Sequence, residues 1–219
     1  MTNELDHGDF HPSVESIRTR LAATAPWDNP EGATRPSAVS VLLNMMEQRD
    51  RQAAEHAFRV AELSTRVAVE VGMNPVGIAR LRLAALLHDV GKLSVPEEVL
   101  LKKEPLSEEE WTRIKFHPEY GFQMIASSVH PEVAEAVLKH CERIDGSGYP
   151  NAVPGDEIPL NSKVLLVADV FDAMVSPKPY RPAMSVQEAM EQIRAGAGTT
   201  FSQQVVDGLR QVIGRRKAA

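Results

Sequence analysis

Histidines and aspartates recur along this chain at intervals of about 23 to 32 residues, close to the length of one helix and its connecting loop. Imidazole offers a neutral nitrogen to a transition metal, and a carboxylate can bridge two cations. If successive helices of a bundle each supply one such residue, all of them can face one interior site. The residues that fit this pattern are His56, His88, Asp89, His117, His140 and Asp169.

Each of these positions also has a purely structural interpretation. His56 could be a hydrogen-bonded core histidine, His117 a helix terminator, and His140 a favourable cation at a helix C-terminus. Asp89 follows the most apolar predicted helix, where the negative end of the dipole opposes a carboxylate, so a cation must compensate it. That cation is either Lys92 or a metal ion. Because so many positions coincide, the pattern favours a metal site.

The elements that must position these residues are predicted to be helices. Apolar residues recur at helical spacing from Ser37 to about Val71, as one long helix or two joined end to end, and Gly72 is a stop signal. Asn74-Pro75 starts the most apolar helix, which we expect at the centre of the core. Further helix starts are indicated at Ser107–Glu110, Pro131 (ending near His140), Asn161 or Ser162, Ser185 and Ser202. No alternating strand pattern is present, so the predicted fold class is all-α.

Two segments depart from the helical pattern. Residues 1–36 are rich in Pro and Gly and predict an appendage with one helix at most, followed by a domain over residues 37–219. The second segment, residues 143–160, predicts a long loop, and a loop of that length inside a compact domain is usually functional. Asp169 and Asp172 lie later, in an apolar run where an unpaired carboxylate would be costly to bury.

The composition excludes several classes of function. The chain has 219 residues, 43% of them hydrophobic, and a net charge of −6, which disfavours binding to nucleic acid polymers. It has neither a signal peptide nor an apolar run long enough to span a membrane, so we expect a cytoplasmic protein. Cys141 is the one cysteine, so a metal site must rest mainly on histidines and carboxylates.

The ordered motifs resemble those of the HD-GYP domains, a branch of the HD metal-dependent phosphohydrolases that act on cyclic di-GMP. The resemblance runs from about His56 to Phe201 and is specific because the whole ordered set is present. The matching segments are His88-Asp89-Val90-Gly91-Lys92-Leu93, Val95-Pro96, His117-Pro118-Glu119-Tyr120-Gly121, His140 with Glu142, Asp145-Gly146-Ser147-Gly148-Tyr149-Pro150, Ala168-Asp169-Val170-Phe171-Asp172-Ala173 and Tyr180-Arg181-Pro182.

The resemblance implies a helical bundle around two or three divalent metal ions, commonly iron or manganese, with zinc or nickel as alternatives. The first ion would be held by His56, His88, Asp89 and Asp169, and Asp89 would bridge to a second ion on His117 and His140. Such paired cations acidify water and neutralise phosphoryl oxygens.

The resemblance also implies roles around the substrate. Lys92 would stabilise developing negative charge, and Lys178 and Arg181 would bind the phosphates. Lys178 stands where the family more often has Arg, which weakens a bidentate contact. Tyr149 would help to form the cleft, and the segment Gly148-Tyr149-Pro150 would dock a partner, for which the family suggests a GGDEF-type cyclase. The first long helix is a candidate for homodimerisation, unless its apolar face belongs to the core.

Two departures from the family pattern bear on the metals. Cys141 replaces the second histidine of a pair, so it is either a thiolate ligand or a core cysteine that leaves the second ion one ligand short. Gln52 stands where three-metal members carry Glu, and a neutral amide is a poor ligand, so we expect two metals at most.

Three functional hypotheses follow. The first is a phosphodiesterase that opens cyclic di-GMP to linear pGpG, and then to GMP, at a rate slowed by Cys141 and Gln52. The second is a catalytically degenerate module that binds the nucleotide or a protein. The third is a phosphohydrolase of another cyclic dinucleotide or of a nucleotide. The retention of Lys92, Asp169, Tyr149, Lys178 and Arg181 favours the enzyme.

Overall fold

The computed structural model describes residues 36–177 and 182–216, and within them the chain is helical with no β-strand. The all-α fold class is therefore confirmed. The α-helices are α1 (Pro36–Arg49), α2 (Arg51–Glu70), α3 (Pro75–Leu87), α4 (Glu97–Leu100), α5 (Glu108–Lys115), α6 (His117–Ile125), α7 (Pro131–Leu138), α8 (Leu160–Val175), α9 (Val186–Ala195) and α10 (Gln203–Arg216). Two 3-10 helices cover Val90–Ser94 and Gly155–Glu157.

Most predicted helix starts are confirmed. At these starts, nearby side chains accept hydrogen bonds from the free N–H groups of the first turn. Asn74 accepts a hydrogen bond from the Gly77 N–H at 2.8 Å, with Pro75 in the first turn of α3. Ser107 and Glu110 form a reciprocal capping box at α5, and Ser185 and Glu188 form another at α9. Ser202 lies immediately before α10.

The long N-terminal helical segment consists of two helices rather than one. Asp50 has extended backbone angles between α1 and α2, and its side chain accepts the Ala53 N–H at 3.0 Å. The carboxylate therefore ends one helix and caps the next. Gly72 lies two residues after the last residue of α2, as its stop signal predicts.

Two details of the sequence interpretation are wrong. Helix α8 begins at Leu160, because the Pro159 carbonyl accepts its first helical hydrogen bond, from the Lys163 N–H at 3.1 Å. It therefore starts before Asn161 and Ser162 rather than after one of them. His117 does not terminate a helix but begins α6, with Pro118 in the first turn, where its missing N–H is tolerated.

Helices α2 and α3 lie at the centre of the fold. Helix α2 packs against α3, α8 and α10, and α3 also packs against α7 and α8. The inner residues of α3 are fully or almost fully buried, including Leu81, Leu86 and Leu87, which confirms its predicted central position. The C-terminus of α3 therefore opens into the middle of the bundle. Within the described residues, no helix is both long and apolar enough to cross a membrane.

Candidate metal centre

Every histidine and aspartate singled out by spacing reaches the same interior region. His56 lies in the middle of α2, His88 caps the end of α3, and Asp89 directly follows His88. His117 begins α6, and His140 follows α7 by two residues. The sixth residue, Asp169 on α8, is the most exposed, at 24% of its side chain, so the cluster has one side open towards solvent.

The first cluster consists of His56, His88 and Asp169, whose ligand atoms all lie within 4.8 Å of one another. The Oδ1 atom of Asp169 is 2.9 Å from His56 Nε2 and 3.8 Å from His88 Nε2. Two imidazole nitrogens and a carboxylate oxygen at these distances form a donor set suited to a divalent transition metal.

The second cluster consists of His117, His140 and Cys141, again with all ligand atoms within 4.8 Å of one another. The Nε2 atoms of the two histidines are 3.2 Å apart. Two nitrogens bound to one ion at the usual metal–nitrogen distance would lie about 3.3 Å apart. The two imidazoles are therefore already spaced as ligands of a shared ion.

Asp89 lies between the two clusters. Its Oδ2 atom is 3.5 Å from His88 Nε2, and its Oδ1 atom is 3.4 Å from His117 Nε2. Each carboxylate oxygen thus faces a histidine of a different cluster, which is the arrangement that a bridging ligand needs. Lys92 Nζ donates to Oδ2 at 2.6 Å, so the cation expected beside Asp89 is present in the form of Lys92.

Three of the histidines are oriented by the same local hydrogen bond. The Nδ1–H groups of His88, His117 and His140 donate to the backbone carbonyl three residues earlier, at 2.7, 2.8 and 2.7 Å. A carbonyl can only accept, so Nδ1 carries the proton and the Nε2 lone pair points into the cluster. His88 Nε2 is buried and has no hydrogen-bond partner.

These lone pairs test whether a cation fits the residues. A buried nitrogen without a partner is costly, and the facing nitrogens of His117 and His140 repel each other as two acceptors. A cation between His117 and His140 removes the repulsion, and a cation beside His88 gives its nitrogen a partner. The donor chemistry of the centre therefore fits bound divalent metal.

The charge states of His117, His140 and Asp89 agree with this chemistry. Burial lowers the pKa of His117 to about 4 and that of His140 to about 3, so both are neutral ligands at neutral pH. For Asp89, burial raises the pKa, but Lys92 and His88 outweigh it and hold the pKa well below its usual value. Burial raises the pKa of the Cys141 thiol.

His56 behaves differently because it contacts two carboxylates. Burial lowers its pKa, but hydrogen bonds to Asp169 and Asp172 outweigh this effect and raise the pKa to about 9. Its Nδ1 atom is 2.7 Å from Asp172 Oδ2 and its Nε2 atom is 2.9 Å from Asp169 Oδ1. Without metal, His56 is therefore an imidazolium that lies between two carboxylates.

Two residues that support the centre were not assigned to it from the sequence. Arg59 forms a bidentate ion pair with Asp172, through Nε to Oδ1 and Nη2 to Oδ2, both at 2.9 Å. Asp172 in turn orients His56. The signal that could have identified them is spacing, because Arg59 and Asp172 lie three residues after His56 and Asp169, on the same helix faces.

The long loop is fastened directly to the centre. Glu142 is buried, and its carboxylate accepts the Asn151 N–H at 2.7 Å and the Val153 N–H at 3.3 Å. A Cβ on Gly148 would lie 2.5 Å from the Cα of Glu142, so only glycine allows this close approach. The backbone N–H of Tyr149 then donates to the Cys141 carbonyl at 3.3 Å. This positioning role of Glu142 was not predicted.

The remaining predicted site residues are placed as follows. Gln52 is exposed one turn before His56 on α2. The ring of Tyr149 meets the ring of His117 edge-on, with 6.3 Å between their centroids. Lys178 and Arg181 lie outside the described residues, as do residues 1–35 of the predicted appendage over residues 1–36.

Comparison with known proteins adds independent information about the chain. A family model for the HD domain matches residues 40–205. A cyclic di-GMP phosphodiesterase from Thermotoga maritima is 41% identical over 170 residues, which is 76% of this chain and 46% of that protein. A 3'3'-cGAMP-specific phosphodiesterase 1 from Vibrio cholerae is 35% identical over 189 residues, covering 84% of this chain and 43% of that protein.

The fold has a counterpart among solved structures. The HDG"Y"P protein Bd1817 from Bdellovibrio bacteriovorus aligns with a TM-score of 0.65 and 19% identity, over 97% of this chain and 75% of that one. At this identity the likeness concerns the fold. The chain spans about half the length of the curated relatives it matches.

Proposed function

This chain belongs to the HD domain family, as its sequence motifs predict, and we propose that it is a metal-dependent phosphodiesterase that opens cyclic di-GMP to linear pGpG. The observation that carries the proposal is the arrangement of Asp89 between two clusters of imidazole nitrogens. Two metal ions about 3.5–4 Å apart are the usual catalysts of in-line displacement at phosphodiesters.

We assign the ligands to two sites. The first site comprises His56, His88 and Asp169, and the second comprises His117 and His140, with Asp89 shared between them. The exposure of Gln52 and its neutral amide support two metals rather than three. The donor set suits iron or manganese, with zinc or nickel as alternatives.

Bound divalent ions supply Lewis acidity, which neutralises phosphoryl oxygens and acidifies the attacking water. The protein supplies orientation and charge around them. Lys92 is half-buried beside Asp89, and this carboxylate raises the pKa of Lys92 in spite of burial, so its ammonium stays charged. We propose that Lys92 donates to a phosphoryl oxygen as negative charge develops there.

Substrate binding extends beyond the metal ligands. We propose that Lys178 and Arg181 hold the phosphates, since fixed cationic donors position a diester for attack. Tyr149 would line the same cleft from the loop that Glu142 anchors. A GGDEF-type cyclase on Gly148-Tyr149-Pro150 remains a prediction from the resemblance. A homodimer, a cytoplasmic location and the domain division at residue 36 remain predictions from the sequence.

The test is product formation from cyclic di-GMP by protein purified without oxygen and loaded with Fe(II) or Mn(II). We expect pGpG with the wild type, none with Asp89→Asn, and wild-type turnover with Asp156→Asn, which neutralises an exposed acid of the long loop. If two equivalents of metal bind and no pGpG forms, the proposal is wrong. Cyclic di-GMP bound without turnover would instead identify a degenerate binding module.

The similarity to a 3'3'-cGAMP-specific phosphodiesterase favours a second candidate substrate, because that relative matches 84% of this chain. The same assay with 3'3'-cGAMP distinguishes the two. A kcat/KM for 3'3'-cGAMP well above that for cyclic di-GMP would identify 3'3'-cGAMP as the preferred substrate. The proposed roles of the residues would stay the same.

A further inference from the structure

We propose that Cys141 is a ligand of the second metal site, so that His117, His140 and Cys141 offer two nitrogens and one sulfur to the ion, with the Tyr149 hydroxyl holding the sulfur. The inference rests on the metal centre proposed above but not on its nucleotide substrate. It assigns to Cys141 one of the two roles that the sequence leaves open.

The position of the sulfur supports this role. Cys141 is buried, and its Sγ lies within 4.8 Å of the ligand nitrogens of both His117 and His140. Those nitrogens are themselves spaced as ligands of one ion. A core cysteine packed only against apolar groups would have no reason to face two imidazole lone pairs.

The neighbouring residue Tyr149 supplies a second argument. The backbone N–H of Tyr149 donates to the Cys141 carbonyl at 3.3 Å, and its side chain lowers the pKa of the Cys141 thiol against the larger effect of burial. Outer hydrogen bonds of this kind orient a ligand and balance its charge. The anchored loop therefore acts on the metal centre through Cys141 rather than only shaping a cleft.

The donor sets predict that the two sites differ in metal preference. The first site offers nitrogen and oxygen atoms, whereas the second also offers the Cys141 thiol, which binds an ion as a thiolate and releases its proton to solvent. A thiolate favours Fe(II), Co(II) or Zn(II) over Mn(II) and Mg(II). The class of ligand proposed for the second site is accordingly a borderline-soft divalent transition metal.

The experiment is a Co(II) titration of the whole metal-free chain without oxygen, followed by absorption. A thiolate bound to Co(II) gives a near-ultraviolet charge-transfer band, which imidazole and carboxylate ligands do not give. We expect the band in the wild type, its loss in Cys141→Ser and in His117→Ala, and two equivalents without the band in Cys141→His.

The affinities provide a graded second readout. Loss of an outer hydrogen bond typically costs about 10- to 100-fold in metal affinity, so we expect Tyr149→Phe to keep the band and bind the second ion that much more weakly. Cys141→Ser should lower the affinity for the second ion at least as much as Tyr149→Phe does.

Two equivalents of Co(II) bound by the wild type without the band, or a single equivalent without it, would overturn the assignment. Because no nucleotide is present, the result stands whether or not cyclic di-GMP is hydrolysed. Circular dichroism of each variant checks that loss of the band is not loss of the fold.

Discussion

His56 carries a charge in the metal-free protein that His117 and His140 do not, and this difference predicts how stability depends on pH. The raised pKa of His56, about 9, stabilises the fold below that pH, and this contribution is complete by about pH 6.5 and lost as the pH rises through 9. The lowered pKa values of His117 and His140 make stability depend on pH in the opposite direction. Their contribution is present above pH 6.5 and is lost as the pH falls towards 4.

We therefore expect the metal-free protein to be most stable near pH 6.5. Between pH 6.5 and 4.5 the two neutral histidines together should remove on the order of 2 to 3 kcal/mol per pH unit. Urea unfolding at pH 5, 6.5 and 8.5 measures this. His117→Asn should flatten the acid side, whereas His130→Asn, outside the cluster, should not. A stability that rises steadily from pH 6.5 to pH 5 would contradict the assignment.

Asp172 contacts the Nδ1 atom of His56, on the ring side opposite the first metal site. Its removal should weaken metal binding at the first site and leave the second site unchanged. In Asp172→Asn, Arg59 loses its charged partner and His56 loses an anionic acceptor. We expect a loss of about 10- to 100-fold in metal affinity at the first site. Asp207→Asn, which alters an exposed ion pair on α10, is the matched control. Equal affinities in the two variants would exclude a supporting role for Asp172.

At the scale of elements, the 3-10 helix Val90–Ser94 packs against α6, and this contact brings Asp89 close to His117. A Cβ on Gly91 would overlap the His117 carbonyl and lie 2.5 Å from the Gly121 nitrogen, both of them backbone atoms that cannot rotate away. The absence of a side chain at Gly91 thus allows Asp89 and His117 to approach.

Gly91→Ala should therefore destabilise the fold by about 1–3 kcal/mol or more and weaken metal binding by moving α6. The control is Gly77→Ala on α3, where the added Cβ would meet only side-chain atoms, at 3.4 and 3.5 Å. Chemical denaturation and metal stoichiometry of both variants test this. Equal stabilities would show that the two backbones have room to separate.

The long loop depends on one buried carboxylate for its attachment. Glu142→Gln replaces one acceptor oxygen by a donor, which leaves the N–H of Asn151 or of Val153 without a partner and should cost about 1–3 kcal/mol locally. We expect faster hydrogen exchange at residues 148–153. Glu157→Gln, exposed in the same loop, should leave exchange unchanged. Protection as high as in the wild type would show that Glu142 does not anchor the loop.

At the scale of the whole molecule, the centre joins elements that are far apart in sequence. Its residues come from α2, from the end of α3, from α6, from the segment after α7 and from α8. The unfolded chain does not bring them together, so metal binds the folded state and stabilises it.

We expect free Mn(II) at about 100 times its Kd to add about 2.7 kcal/mol for each site that it fills, and one filled site corresponds to a rise in Tm of about 5–10 °C for a chain of this size. Differential scanning calorimetry with and without metal measures the shift. Asp89→Asn should show little of it, because both sites lose their shared ligand. An unchanged Tm with metal demonstrably bound would mean that the sites also exist in the unfolded chain.

The sequence alone is enough to predict the helices, most of their starts, and the histidines and aspartates that gather in the centre, but not the supporting residues Arg59, Asp172 and Glu142. Helix caps such as Asn74 and Ser107 accept hydrogen bonds from N–H groups three residues away, so a short stretch of sequence is enough to predict them. The residues of the centre were found because each helix of a bundle can turn one residue inward. The start of α8 was missed because Asn161 and Ser162 are typical capping residues, whereas the first helical hydrogen bond is accepted by the Pro159 carbonyl.

The tertiary structure alone decided which atoms meet. His56 and Asp172 are 116 positions apart, and Glu142 reaches Val153 across the long loop. Packing also places Asp89 between the two clusters and Cys141 beside His117 and His140. Local patterns carry no information about such contacts, since they depend on how the helices pack and on how the loop folds back. Sequence therefore specifies the donors, and packing decides how they combine into sites.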